Sequence, residues 1–203
     1  MQRKWQSADK KGMWLSILLR PEIPPQQAPQ LTLLTATVLA DVLKYELKLQ
    51  PLIKWPNDLL LNNKKVAGIL TEMQAEQDQI QYVVIGVGLN INHEREDLPE
   101  TFSYQATSLF QETGQTWSIQ EIIQHFLNRF EQTYEEFMEV GFSPVKEKWE
   151  NYGFKLGKKI KIKNIKEERE AIFQGIAEDG ALLVRDDSGK LQKLYSGEIQ
   201  WFE

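Results

Sequence analysis

One short stretch of the sequence concentrates side chains that could bind a phosphorylated small molecule. Residues 54–58 read Lys-Trp-Pro-Asn-Asp, and the segment Lys-Val-Ala-Gly follows at residues 65–68. Together they place an acid, an amide and two cations on a predicted strand–turn–strand unit. Cations of this kind neutralise the charge of phosphate groups. Ordinary turn chemistry is the alternative explanation, because proline, asparagine and aspartate all favour turns for backbone reasons.

A second informative feature is a predicted strand with glycines on one face. In residues 82–90, a period of two puts Gly86 and Gly88 on one face, which ends in Asn90. The other face is uniformly apolar, so we predict that it belongs to the core. Glycine in a strand often marks a place where a ligand or another backbone approaches closely. With Gly68 on a neighbouring strand, we predict a flat bed for a flat ligand; a helix packed tightly over the glycines is the alternative.

Several common catalytic and binding patterns are missing from the sequence. The Gly86-Val87-Gly88 stretch lacks the third glycine of a dinucleotide fingerprint, and no helix is predicted to follow it. No GxxxxGK[ST] phosphate-binding loop occurs either. His93, in a predicted polar loop, and His125, off the apolar stripe of its helix, have no paired serine or acid that would indicate a triad. Any nucleotide must therefore be held by side chains and strand ends.

The elements predicted to position these residues are mostly antiparallel hairpins. A helix is predicted over residues 31–49, where apolar residues recur at helical spacing and Asp41 makes a solvated break in the stripe. The predicted strands cover residues 14–19, 52–55, 58–61, 66–73 and 79–90.

The sequence pattern changes at Gly153. Before it, apolar residues at helical spacing predict a long helix over residues 119–139 and a short one over 145–152. After it, short predicted strands are separated by glycine turns at hairpin spacing, which predicts a small barrel of four or five strands. The glycine turns are Asp179-Gly180, Ser188-Gly189 and Ser196-Gly197. We therefore predict two domains, residues 1–153 and residues 154–203.

Composition narrows the class of protein. The 203 residues fit one large domain, or one domain with a small second one, and the formal net charge is -5. No basic cluster is dense enough to predict nucleic-acid binding. The absence of cysteine excludes disulfides, thiolate metal sites and a cysteine nucleophile. Neither a signal peptide nor an apolar run near the ~20 residues of a membrane helix is found, so we predict a cytoplasmic protein without a membrane partner.

The two units KWPND…KVAGIL and VIGVGLN together resemble the catalytic core of biotin–protein ligases. The resemblance begins at Arg3-Lys4-Trp5-Gln6-Ser7, continues through LSILLRP, and includes the KWEN helix and the Gly-Glu of the SGEI segment. It implies an α+β catalytic domain with a mixed, largely antiparallel sheet and flanking helices, like that of class II synthetases and lipoate-attaching enzymes. A small C-terminal SH3-like β-barrel is implied to follow.

The resemblance also implies a two-step reaction. Biotin and ATP would first give biotinyl-5′-AMP and pyrophosphate, with Mg²⁺ screening the anions, as attack of a carboxylate on a phosphate requires. A lysine of a biotin carrier protein, a carboxylase subunit, would then take the biotinyl group. The mixed anhydride must be kept from water until that lysine arrives. A homodimer is compatible with the resemblance.

Site residues carry over from the family motifs position by position. Lys65 is implied to neutralise the biotin carboxylate and the α-phosphate, and Asp58 to act beside it at the ribose or the magnesium shell. The remaining residues implied to bind biotin are Gly68, Gly86, Gly88 and Trp5. Those implied to bind ATP or the adenylate are Arg3, Lys54, Asn57, Asn90 and Tyr195, which would lie over the adenine.

The alternation of side chains leaves one conflict over the lysine. Strict alternation puts Lys64, rather than Lys65, on the face of Gly68. A turn or bulge after Asn63 could reset the parity, and the motif match favours Lys65. A solvated turn lysine fits Lys64 better.

The sequence departs from the family pattern at its start. Family members carry a first strand and helix and then a GRGRxxRxW loop, of which only Arg3 and Trp5 remain, with Met1 standing where the loop should be. We therefore expect an N-terminally truncated ligase. A ligase of low activity, a non-catalytic remnant that binds biotin or carrier, and a lipoate or octanoyl transfer enzyme are the alternatives. The DNA-binding helix-turn-helix of some members is missing as well, so repressor activity is not predicted.

Overall fold

A computed structural model describes residues 10–98, 106–163, 168–195 and 198–201 of the chain. Within these residues the strands form two five-stranded antiparallel sheets, with helices between and around them. The strands of the first sheet are β1 (Gly12–Leu19), β2 (Leu52–Lys54), β3 (Asp58–Leu61), β4 (Lys64–Glu76) and β5 (Gln79–Asn90), in the order β1-β5-β4-β3-β2. The predicted α+β fold with a largely antiparallel sheet is confirmed.

In the described part of the chain, four α-helices accompany the sheets: α1 (Ala28–Tyr45), α2 (Leu109–Thr113), α3 (Ile119–Val140) and α4 (Ser143–Tyr152). Short 3-10 turns lie at Pro25–Gln27 and Arg95–Asp97. The side chain of Ser118 accepts a hydrogen bond from the N–H of Glu121 and begins α3, and Gly141 ends it with a positive φ of 83°. None of the helices in the described residues is long and apolar enough to cross a membrane.

The first sheet has one face packed against helices and one face that carries the glycines. Leu59, Ile69 and Ile85 are buried on the packed face, where Thr32 of α1 donates a hydrogen bond to the Thr71 hydroxyl of β4 at 2.8 Å. Because neighbouring side chains of a strand point to opposite faces, the glycines lie on the side away from α1. We call this second face, which includes Trp14, Asp58, Gly68, Gly86 and Gly88, the glycine face.

The second sheet forms the small C-terminal unit, which is SH3-like. Its strands are β6 (Lys159–Lys163), β7 (Glu168–Ile176), β8 (Leu182–Arg185), β9 (Leu191–Leu194) and β10 (Glu198–Trp201), in the order β10-β6-β7-β8-β9. The predicted strand count is confirmed, as are the turns at Asp179-Gly180 and Ser188-Gly189. The third predicted turn, Ser196-Gly197, lies outside the described residues; β10 pairs with β6, at the sheet edge opposite β9.

The two sheets meet at the turn that precedes β3. The indole N–H of Trp55 donates a hydrogen bond to the Gly180 carbonyl at 3.2 Å, and the Trp55–Pro56 peptide bond is cis. A second link joins the N–H of Phe154 to the Ile53 carbonyl at 2.8 Å. Gly180 has a φ of +80°, and a Cβ there would lie 3.0 Å from the side chain of Leu33. Glycine is therefore required at this close approach.

The environment of Asp41 and the end of α1 differ from the sequence prediction. The sequence predicted a solvated break at this position and a helix that continues to residue 49. Instead, α1 ends at Tyr45, and Asp41 is only 8% exposed. The Tyr152 hydroxyl of α4 donates a hydrogen bond of 2.6 Å to Asp41, and Arg129 of α3 lies 3.5 Å away. Burial, together with this hydrogen bond, raises the pKa of the Tyr152 phenol.

Replacing Tyr152 with phenylalanine tests this buried contact between α1 and α4. We expect Tyr152→Phe to lower the free energy of unfolding by about 1–3 kcal/mol, because the buried Asp41 carboxylate loses the hydroxyl donor of its shorter contact. Urea denaturation measures the change. Tyr134→Phe is the control, since it keeps the ring that stacks on Phe130. An equal loss of stability in both variants would contradict the expectation.

Candidate functional site

A single row of residues crosses the glycine face from β1 to β2. Each residue of the row pairs with the next one on the neighbouring strand. The row consists of Trp14 (β1), Gly88 (β5), Gly68 (β4), Asp58 (β3) and Lys54 (β2). Neighbouring strands are about 4.8 Å apart, so the Trp14 and Asp58 strands are separated by roughly 14 Å. The two positions between them have no side chain. The row therefore places two glycines, both of them buried, between an aromatic ring at one end and an acid and a cation at the other.

A bulge in β4 puts Lys65 on the same face as this row. Leu59 pairs with Ala67, but the next residue, Leu60, pairs with Lys65, so Val66 is an extra residue in β4. Val66 and Ala67 are both buried in the core. The alternation is thereby reset, and Lys65 shares the face of Asp58. From the sequence, a bulge was one way to reset the alternation, and the structure contains one. It favours Lys65 over Lys64 as the lysine of the glycine face.

Lys65 and Asp58 form an ion pair at the charged end of the row. The Lys65 Nζ lies 2.5 Å from the Asp58 Oδ1, and both side chains are partly exposed. The pair leaves a cation and an acid within reach of a ligand seated on the glycines. Lys64, by contrast, lies 3.9 Å from Glu112, away from Asp58. Charge of both signs is thus fixed at one end of the row of glycines.

Gly86 lies beside the row, two residues from Gly88 on the same face of β5. It is the register partner of Ser16 on β1 and of Leu70 on β4. A Cβ at Gly86 would meet only Leu70 atoms, the nearest at 3.7 Å, which is ordinary contact. The packing of the protein therefore does not demand glycine at this position. The alternative of a helix packed over this glycine finds no support among the described residues, because α1 lies on the opposite face.

His93 and Trp14 border the glycine face beside β1. Their rings meet edge to face with centroids 6.1 Å apart. His93 covers Gly12, where a Cβ would lie 2.9 Å from the imidazole Cε1. The histidine is 1% exposed, so its ring is buried although the sequence predicted a polar loop. Burial lowers the pKa of His93.

Asn90 and Lys65 are joined through Thr107. The Asn90 side chain donates a hydrogen bond to the Thr107 carbonyl at 2.9 Å, and the Thr107 N–H donates one to the Lys65 carbonyl at 2.8 Å. Two residues that the sequence assigned to ligand binding are therefore held against one short segment. The donor group of the Asn90 amide is already used in this link.

Asn57 has a structural role in the geometry. Its side chain donates a hydrogen bond to the Ile69 carbonyl at 2.8 Å, and its own carbonyl accepts one from the Ile69 N–H at 3.0 Å. Asn57 thus fastens the turn before β3 to β4. This contact keeps Asp58 opposite Gly68, while the nucleotide role predicted for Asn57 stays a prediction.

Tyr195 reaches the site only through the turn between β7 and β8. Its hydroxyl donates a hydrogen bond of 2.9 Å to Asp179, which precedes the Gly180 that accepts from Trp55. The Tyr195 ring is 69% exposed. Arg3 and Trp5, the other predicted ligand residues, lie outside the described residues.

The sequence reasoning missed three residues that the structure brings to the site: Trp14, Thr107 and Glu112. Trp14 lies on a predicted strand, but the register that sets it beside Gly88 is not readable from spacing. Thr107 and Glu112 are separated from Lys65 by more than forty positions along the printed sequence. A strand pairing at such separation leaves no local pattern.

Comparisons with protein families match both parts of the chain. Residues 1–90 match the biotin/lipoate A/B protein ligase family, and residues 155–201 match the biotin protein ligase C-terminal domain. Among solved structures, the biotin protein ligase from Aquifex aeolicus in complex with biotin and ATP is similar with a TM-score of 0.82 and 28% identity. That similarity covers 98% of this chain and 81% of that one.

Curated relatives match over most of the chain. The biotin–[acetyl-CoA-carboxylase] ligase of Paracoccus denitrificans is 31% identical over 178 residues, which are 86% of this chain and 74% of that protein. The bifunctional ligase/repressor BirA of Bacillus spizizenii is 40% identical over 200 residues, which are 98% of this chain. The chain spans 61% of the length of that BirA relative.

Replacing Asn57 separates its structural role from a ligand role. We expect Asn57→Ala to lower the free energy of unfolding by about 1 kcal/mol, because the Ile69 carbonyl loses its side-chain donor. Asn57→Asp should cost more, since a carboxylate would face that carbonyl. Thermal or urea unfolding measures both, with Asn128→Ala on the exposed side of α3 as the control. Unchanged stability together with weaker ATP binding would instead assign Asn57 to the nucleotide.

Proposed function

The chain belongs to the biotin protein ligase family, and on that premise we propose that it activates biotin with ATP and transfers the biotinyl group to a carrier lysine. The observation that carries the proposal is the cross-sheet row in which two glycines separate Trp14 from Asp58, with Lys65 ion-paired to that acid. The fused ring of biotin would lie against the glycines, which carry no side chains, and its anionic tail would reach the charged end of the row. The reaction would take place in the cytoplasm, where ATP is available.

In the first step, a carboxylate oxygen of biotin attacks the α-phosphorus of ATP. The bond from that phosphorus to the bridging oxygen breaks, and pyrophosphate leaves with its electrons. Both reactants are anions, so their approach requires fixed positive charge. Lys65 supplies it at the charged end of the row. Its contact with Asp58 holds the ammonium at the glycine face before the substrates arrive, which reduces the reorganisation needed during the reaction.

The glycines supply the biotin surface. Gly68 and Gly88 are register partners, so a stretch without side chains spans two neighbouring strands. Any larger residue at these positions would put a side chain where the ring must lie. Gly86 extends this stretch along β5. Glycine weakens a strand, and the core face compensates with closely packed aliphatic side chains.

The nucleotide would lie beside the acid and the cations. We propose that Asp58 binds the ribose or the magnesium shell, that Lys54 screens phosphate, and that Asn57 and Asn90 contact the adenylate through their side-chain amide oxygens. Tyr195 would lie over the adenine. Arg3 and Trp5 complete the proposed set, with Arg3 at the phosphates and Trp5 as a wall of the biotin pocket.

Magnesium would enter with the nucleotide. Mg²⁺ is usually held by one or two carboxylates and by substrate phosphates. The described residues contain no group of three or more histidine, aspartate or glutamate side chains placed to bind a metal, which fits an ion carried mainly by ATP. Asp58 is the carboxylate that would contact its water shell. Bound magnesium would screen the phosphate charges.

In the second step, the amine of a carrier lysine attacks the carbonyl of the mixed anhydride. An amide forms, AMP leaves, and the amine loses a proton. The naming of the Paracoccus denitrificans relative supports a carboxylase subunit as the carrier. A lipoate-transferring function is less well supported, because residues 155–201 match the biotin protein ligase C-terminal domain. Binding of biotin without pyrophosphate release would favour the non-catalytic alternative.

Replacing Lys65 tests the first step. We expect Lys65→Ala to reduce biotin- and ATP-dependent pyrophosphate release by about 100-fold or more, as the loss of a charge that stabilises a transition state does. Lys161→Ala is the control, because Lys161 pairs with Glu168 in the second sheet, remote from the glycine face. Equal rates of release from the wild type and Lys65→Ala would remove Lys65 from the proposal.

Replacing Gly86 tests the bed independently of catalysis. We expect Gly86→Val to weaken biotin binding about tenfold or more, since overpacking a site typically costs 1–3 kcal/mol. Its folding should be nearly unaffected, because the added Cβ meets only ordinary contacts. Calorimetry measures the affinity, and Val84→Ile, two residues away on the same face, is the control. Unchanged affinity in the folded Gly86→Val protein would refute the glycine bed.

A further inference from the structure

We propose that Glu112 is a positioning residue that holds Lys65 on the glycine face through Thr107 and through the turn between β3 and β4. The catalytic consequence rests on the proposed function, because it assumes that Lys65 acts on the substrates. The structural part does not, since it concerns contacts within the protein.

Glu112 is the meeting point of three polar groups from two segments. Its carboxylate accepts hydrogen bonds from the Thr107 hydroxyl, at 2.6 Å, and from the side chain of Asn62. The Lys64 ammonium lies 3.9 Å away. Only 11% of the Glu112 side chain is exposed. A carboxylate this enclosed needs such partners, because burying an unpaired charge is costly.

Thr107 connects this carboxylate to the lysine of the site. Its N–H donates to the Lys65 carbonyl, and Ala106 forms a parallel bridge with Lys65. Thr107 is fully buried. The hydroxyl is therefore fixed by Glu112 while the backbone is fixed to Lys65. Movement of Thr107 would release the backbone at the position from which the lysine side chain projects.

The bulge explains why Lys65 needs this support. Pairing of β4 with β5 extends only to Ala67 and Leu89, and the extra residue Val66 interrupts the pairing with β3. Beyond the bulge, the short segment at Ala106 takes the place of β5 as the neighbour of β4. A bulge disrupts the ladder locally, so its conformation depends on contacts of this kind.

Glu112 also separates the two adjacent lysines. Lys64 is drawn towards Glu112, whereas Lys65 pairs with Asp58. The distance of 3.9 Å makes the Lys64 contact the weakest of the three, because partly exposed ion pairs contribute little. The hydrogen bonds from Thr107 and Asn62, being charge-assisted, carry most of the effect. Glu112 thus acts on the site without touching a substrate.

The test compares amide hydrogen exchange and catalysis in matched variants of the full chain. We expect Glu112→Ala and Thr107→Val to accelerate exchange of the residue-107 amide, which bonds to Lys65, by about tenfold or more, the value of one charge-assisted hydrogen bond. Thr107→Ser keeps the hydroxyl and should remain close to wild type. Glu136→Ala, which removes a carboxylate paired with Lys148 between α3 and α4, controls for loss of a surface charge.

Catalysis supplies the second readout. If Lys65 is the group affected, the kcat of biotin-dependent pyrophosphate release should fall about tenfold in Glu112→Ala and Thr107→Val. The KM for biotin should change much less, because the glycine bed is untouched. Glu112→Gln, which keeps one acceptor oxygen, should lie between wild type and Glu112→Ala in both exchange and kcat.

The outcomes separate this inference from the proposed function. Unchanged exchange in Glu112→Ala and Thr107→Val would overturn the inference, whatever the activity. Faster exchange with unchanged kcat would overturn the link to Lys65. A wild type without biotin-dependent pyrophosphate release would refute the proposed function, and the exchange data would still decide whether Glu112 holds the segment. If Glu112→Ala fails to fold, Thr107→Val carries the same comparison.

Discussion

The site depends on one extra residue in β4. Without Val66, the pairing of β3 with β4 would run in unbroken register; with it, Lys65 rather than its neighbour comes to lie beside Asp58. A change of one residue in register moves every later side chain to the other face of a sheet. The bulge confines that change to a short stretch, so the core residues of β4 stay buried while the lysine turns towards the glycines. Acid, cation and bare backbone are thereby collected on one surface.

The two faces of the first sheet carry different physical tasks. On the packed face, aliphatic side chains and α1 exclude water and supply the stability of the sheet through apolar burial. On the glycine face, the glycines carry no side chain where the proposed ligand would lie, and aromatic, polar and aliphatic side chains such as Trp14, Asp58 and Val84 surround them. A strand that included Gly86 and Gly88 without a packed opposite face would be weak. Burial of the neighbouring aliphatic residues Ile85, Val87 and Leu89 offsets the destabilising effect of the glycines on the strand.

Local sequence patterns predicted most of the elements but not their partners. Alternation identified β3 and β5 to the residue, and helical periodicity identified α3 to within one residue at its end. Asp41 was misjudged because a polar residue in an apolar stripe looks solvated until Tyr152 and Arg129 arrive from distant helices. His93 was misjudged for the same reason, as its burial depends on β1. The shared face of Gly86 and Gly88 was predictable because they lie two residues apart on one strand, whereas Trp14, Thr107 and Glu112 join the site only through long-range pairing.

The hydrogen bond from the Trp55 indole to the Gly180 carbonyl has a consequence for any attempt to dissect the chain. Trp55 belongs to the turn that presents Asp58, and its buried ring finds its acceptor in the C-terminal sheet. A fragment expressed without that sheet would carry an indole N–H with no acceptor and an uncovered aromatic surface beside the turn that presents Asp58. The two halves are therefore best regarded as one unit of expression, and a split version would regain its turn geometry only after the halves reassociate.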